Sequence, residues 1–150
     1  MKLAVDLQRT TEPAWSSQVD RWYQLDEVGY AFCEALHQWE LLKDEAKPDV
    51  IFLALPEASN VADFDFVSTG ASSPAKFVFT LPNICASVIF QMLGFSGKVY
   101  CLNKGQRTIE FAKEEAQEMK KAGKTAWVFA SPALLSDGRR EIEFQAYSEK

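Results

Sequence analysis

A single histidine, His37, is all the imidazole in these 150 residues, and the three cysteines, Cys33, Cys85 and Cys101, form no C-x-x-C pair. With so few donors a zinc site has no recognisable spacing, and no metal is expected. The odd cysteine count supplies no disulfide framework, which favours a reducing compartment. Each cysteine sits in an apolar periodic segment and reads as a small buried hydrophobe. Basic residues are also in deficit, with 16 Lys and Arg against 21 Asp and Glu for a formal charge of −5. That balance argues against nucleic acid, which needs a basic face, and against an anionic membrane surface. No apolar run reaches the roughly 20 residues needed to cross a bilayer, and the N-terminal apolar run is too short for a signal peptide. The expectation is a cytoplasmic protein with no membrane partner.

What is present is a bulky apolar content, 47% hydrophobic with eleven Phe and four Trp. One domain over residues 1–150 can bury roughly 70% of its unfolded surface. Lys2 to Leu7 reads as a first strand. Ser16 to Tyr23 reads as a helical turn or packed loop, and Asp26 as the cap of a long helix from Glu27 to Lys43. Val28, Phe32, Ala35, Leu36, Trp39 and Leu42 stripe that helix. Val50 to Leu55 is a continuous apolar run, the mark of a central strand covered on both faces. Val61 to Ser72 is polar and aperiodic, a loop.

From Ser73 to Ser131 the pattern becomes denser. Ser73-Pro74 resembles an N-cap with proline in the first helical position. Ile84 to Leu93 has hardly a polar residue and predicts a buried helix ended by Gly94 and Gly97. Val99 to Leu102 is a strand with Tyr100 and Cys101 on opposite faces. After the corner at Gly105, Ile109, Ala112, Ala116 and Met119 stripe an amphipathic helix, with Gly123 as its C-cap. Thr125 to Ala130 is a second buried strand, Asp137-Gly138 a hairpin signal, and Glu141 to Tyr147 alternates as a half-exposed strand with Ile142, Phe144 and Ala146 inward. Strands alternating with helices give an α/β fold with a mixed sheet.

Catalytic candidates are sparse. His37 lies beside the apolar stripe of its helix and reads as a boundary residue. The Gly94 to Gly97 turn leads into a strand, so neither the P-loop nor the dinucleotide fingerprint fits, and no cofactor is expected. Asp63 with Asp65 and Glu114 with Glu115 read as a loop pair and a solvated helix face. Ser73 has no histidine placed to activate it, and Cys85 and Cys101 have no base nearby. Gly105 and Arg107 stand at a helix start, where an anion can bind, but a glycine there more often serves the turn.

The segments Ser73-Pro74-Ala75-Lys76-Phe77, Thr80-Leu81-Pro82-Asn83 and Leu93-Gly94-Phe95-Ser96-Gly97, in that order and spacing, resemble the N-terminal half of β-ketoacyl synthases. The resemblance covers about sixty residues and implies a three-layer α-β-α thiolase-like half-domain. It puts Gln106 at the position of the acyl-accepting cysteine. Asn83, Gly105 and Arg107 become pocket or corner candidates. Val99, Tyr100, Cys101 and Leu102 become the strand through which family members dimerise. A carboxamide cannot form the thioester that a thiolate forms. In this family glutamine at that position marks chain-length factors, and also loading domains whose decarboxylation uses histidines of a C-terminal half that this chain does not contain. The resemblance therefore implies no catalytic residue in the chain itself. It implies an inactive ketosynthase-like accessory protein of fatty-acid or polyketide biosynthesis, aryl-polyene pathways included. Its partners would be a second copy, a ketosynthase or an acyl carrier protein. Two other readings stay open: an acyl-thioester enzyme using Cys101 or Ser73, and an unrelated α/β interaction module.

Overall fold

The computed structural model describes residues 1–7, 11–25, 27–55, 83–102 and 105–148. Five strands, β1 (Lys2–Val5), β2 (Val50–Ala54), β3 (Lys98–Leu102), β4 (Ala126–Leu134) and β5 (Arg140–Tyr147), form one sheet in the order β1-β5-β4-β2-β3. β2 pairs in parallel with both β3 and β4, whereas β5 is antiparallel to β4 and to β1. The sheet is thus mixed, with β5 the one reversed strand.

Among the described residues three α-helices cover it: α1 (Glu27–Gln38), α2 (Asn83–Leu93) and α3 (Thr108–Lys121). The step from β2 to β3 runs one way across the sheet, and the step from β3 back to β4 runs the other way. Because parallel crossovers are right-handed, that reversal puts α2 and α3 on opposite faces. Two cores follow. Ile51, Leu53, Trp127, Phe129, Ile142 and Phe144 face α1 and α2. Val50, Phe52, Ala54, Ala126, Val128 and Ala130 face α3, which presents Ala112 and Ala116. The result is a three-layer α-β-α arrangement. All five residues of β2 are buried, which is why its sequence is apolar without alternation.

The α1 side is aromatic. Phe129 lies 5.0 Å from Phe144 and Trp127 5.3 Å from Phe144, ring centre to ring centre. Trp15 is wholly buried, at 5.4 Å from Tyr30, and its indole N–H donates to Glu34 Oε1 at 2.8 Å. A buried indole needs such an acceptor. The α3 side is built from small residues instead, and alanine facing alanine lets the helix approach the sheet closely.

Four expectations need correction. The helix from Glu27 does not run to Lys43: it ends at Gln38, and Glu40–Lys43 is a separate 3₁₀ turn. The Lys47 ammonium donates to the carbonyls of Leu42 and Lys43 at 2.8 Å each, so this tighter turn satisfies carbonyls a continuing α-helix would have used. β4 extends past Ala130 to Leu134. Its register shifts between Ala130 and Ala133, where Pro132 has no N–H to give to the ladder. Ala146 is exposed rather than inward, and Tyr147 is the residue buried at that end, on the α3 side. Cys101, expected in the core, is exposed, β3 standing last in the sheet among the described residues. Cys33 is buried as expected. The cap at Asp26, the loop from Val61 and the Ser73-Pro74 segment lie outside the described residues.

Candidate functional site

β3 ends at Leu102, and Gly105 takes a left-handed conformation (φ 60°) that glycine adopts without strain. Gly105–Arg107 forms a single 3₁₀ turn that opens directly into α3. Thr108, wholly buried, fixes this corner by donating its hydroxyl to the Gly105 carbonyl at 2.6 Å. Gln106 stands on the turn with its side chain in solvent. Arg107 is also exposed and turned along the helix, with Nε 3.3 Å from Glu110 and Nη2 3.9 Å from Glu114. Its pKa is raised, first by the hydrogen bond to Glu110 and then by the charges of Glu110 and Glu114. Asn83 is the first residue of α2.

Among the described residues the strand leading to this corner pairs with β2, from Val50 opposite Lys98 to Ala54 opposite Leu102, and stands last in the sheet. Its exposure is high for a strand: Lys98, Tyr100 and Cys101 are exposed, and Val99 and Leu102 only half-buried. Val99 leans into the α1/α2 core and Leu102 into the α3 core, so alternate residues do point to opposite faces. Tyr100 keeps 49% of its surface in solvent while its ring stacks on Phe52 at 5.7 Å and 24°. The Cys101 thiol is pushed above the usual thiol range by partial desolvation. That lowers its thiolate fraction at neutral pH.

Below β3, between the strand and α3, runs a groove of about 660 Å³. The sheet contributes Phe52, Tyr100 and Leu102, the helix contributes Phe111, Glu115 and Met119, and Lys98, Lys124 and Asp49 stand among the lining residues. The groove thus collects Tyr100 and Leu102 of the expected pairing strand, but not Asn83, Gln106 or Arg107. Sequence reasoning did not single out Phe111, and it read Glu115 only as part of a solvated helix face. Their spacing of four was the available signal, since it places both on one helix face beside the alanine stripe.

His37 is half-buried in the last turn of α1, with Nδ1 shielded and without a hydrogen bond among the described residues. Among those residues no group of His, Cys, Asp or Glu converges to hold a metal ion, and no helix is long and apolar enough to cross a membrane.

No protein-family model matches the chain, and no curated protein does. Among solved structures it is similar to a ketosynthase, ApeO, in complex with its chain length factor, ApeC, from Xenorhabdus doucetiae, with a TM-score of 0.68 at 11% identity. The match covers 95% of this chain but 64% of that chain, so this chain spans less than two thirds of its neighbour's length. Identity that low carries the fold and leaves activity to be argued from residues. With its mixed five-stranded sheet between two helical layers, the chain shares the α/β fold of that ketosynthase–chain length factor structure.

Proposed function

We propose that this chain is a catalytically inactive ketosynthase-like accessory protein of fatty-acid or polyketide biosynthesis, the aryl-polyene type included, working in the cytoplasm by pairing rather than by chemistry. The observation that carries the reading is the carboxamide of Gln106 on the turn between β3 and α3 of a ketosynthase-like fold. An amide neither ionises nor accepts an acyl group, so the position that resemblance assigns to a nucleophile has none. His37 belongs to α1, in the other helical layer, and no second histidine exists to serve as a base. The raised pKa of Cys101 weighs against that thiol as a substitute nucleophile.

Pairing is supported by the position of β3 at the end of the described sheet and by the exposed aromatic ring of Tyr100 on it. The solved neighbour is itself a ketosynthase with its chain length factor. By analogy this chain would pair with a ketosynthase or with itself through Val99, Tyr100, Cys101 and Leu102, and would take part in acyl-carrier-protein recognition as one member of the pair.

The test is co-purification of the tagged chain with a ketosynthase and an acyl carrier protein, with an acyl-thioester probe applied in parallel. Retention of a ketosynthase without covalent labelling is the expected result. Acylation of the wild-type chain that disappears in Cys101→Ala would overturn the inactive reading. Failure to retain either partner at micromolar concentration would remove the pathway assignment.

A further inference from the structure

The groove between β3 and α3 has two rows of side chains. Lys98, Tyr100 and Leu102 share one face of the strand, and Phe111, Glu115 and Met119 share one face of the helix. α3 lies over β4 and β2 rather than over β3, so the two rows stand apart instead of interdigitating. The space between them, about 660 Å³, is of the size that takes a small organic molecule. An aromatic surface is already set within it. The Tyr100 ring stacks on Phe52 at 24°, and the half of Tyr100 left in solvent can be covered by another flat ring.

The charges of the groove are of two kinds. At the strand entrances Asp49 and Lys124 are answered within the chain: the Asp49 carboxylate accepts from the Thr125 N–H and hydroxyl and feels the Lys124 charge. Lys98 on the strand and Glu115 on the helix are not answered, since among the described residues neither makes an ion pair. The groove thus offers one unmatched cation, one unmatched anion and an aromatic surface. A simple apolar acid would leave Glu115 unmatched and feel its repulsion. An amine would meet the same difficulty at Lys98, and a neutral ligand would match neither.

We infer that this groove binds an amphoteric aromatic molecule of about dipeptide size, with its carboxylate at Lys98, its ammonium at Glu115 and its ring on Tyr100. Neither Gln106 nor Arg107 lines the groove, so the inference stands apart from the pairing proposed above.

Titration of the intact, isotope-labelled chain with the dipeptide phenylalanyl-tyrosine, followed by amide resonances, tests this. Saturable shifts are expected along β3 and at Phe111, Glu115 and Met119 of α3. Acetylating the amino group of the dipeptide, or amidating its carboxylate, should each weaken binding roughly fivefold, as expected for one exposed ion pair. Lys98→Ala should weaken the free dipeptide by a similar factor and leave the amidated one unchanged, because the pair it removes is already gone. Glu115→Ala should do the same against the acetylated one. Tyr100→Ala should weaken all three, and glycylglycine, with both charges but no ring, should not bind. The amide spectra of the variants report at the same time that the fold is intact. Absence of saturable binding, or shifts clustered away from the groove, would overturn the site. Equal binding of the free, acetylated and amidated dipeptides would overturn the charge matching and with it the class of ligand.

Discussion

Asp49 and Thr125 bind each other reciprocally where β2 and β4 begin. The Thr125 N–H donates to Asp49 Oδ2 at 2.8 Å, and the Thr125 hydroxyl reaches the same oxygen at 3.2 Å. The Asp49 N–H donates in return to the Thr125 carbonyl and hydroxyl at 3.0 Å. The two strands that define the centre of the sheet are thereby held in register at their entrances.

These donors, the Thr125 N–H foremost, hold the Asp49 carboxyl below its ordinary pKa. Asp137 is held down likewise, chiefly by the Arg139 N–H and then by its guanidinium. A carboxylate whose folded pKa is depressed stabilises the fold above its unfolded value of about 3.9 and loses that contribution as pH falls through the folded value. Asp49→Asn and Asp137→Asn should each be less stable than the wild type at neutral pH, with the difference closing in acid. Urea denaturation between neutral pH and pH below both values checks this.

Arg140 is 1% exposed and donates from Nη1 to Ser131 Oγ at 3.0 Å. Ser131→Ala takes an acceptor from a buried guanidinium and should cost roughly 1–3 kcal/mol in chemical denaturation. Ser131→Thr, which retains the hydroxyl, should recover part of that loss.

Gly123 terminates α3 with φ 77°, its N–H bonded to the Lys120 carbonyl while Lys124 N–H bonds to Met119. This double bond pattern needs a left-handed residue at Gly123. Gly123→Ala has open space for its methyl group, so its cost is conformational, about 1–2 kcal/mol, read as a lowered denaturation midpoint.

Gln106→Cys supplies a thiol at the solvent-exposed corner without supplying a base. The variant should react readily with iodoacetamide at position 106 and should not condense or decarboxylate acyl-thioesters by itself. Its stability should stay within about 0.5 kcal/mol of wild type, as for other exposed positions. Condensation by the isolated variant would show that a complete acyl-transfer apparatus is present after all.

The periodic segments were legible where one helical face or one apolar run decided them. The stripe of α1, the apolar run of β2 and the alanine face of α3 each encode their burial locally, because a helix or strand repeats on its own period. The ends were less legible. Lys47 reaching back to Leu42 and Lys43, and Pro132 displacing the register of β4, depend on where neighbouring segments pass. Cys101 was misread because an apolar four-residue strand looks alike at the centre and at the edge of a sheet.

Gln106 at a glycine corner and the solitary His37 are facts of the sequence alone, and with them the shortage of nucleophile and base. The order β1-β5-β4-β2-β3 is not, since each strand records which of its faces is apolar but not which strand lies beside it. Only the tertiary structure put β3 last in the described sheet, beside α3, and so turned Tyr100, Lys98 and Glu115 from scattered residues into the lining of one groove.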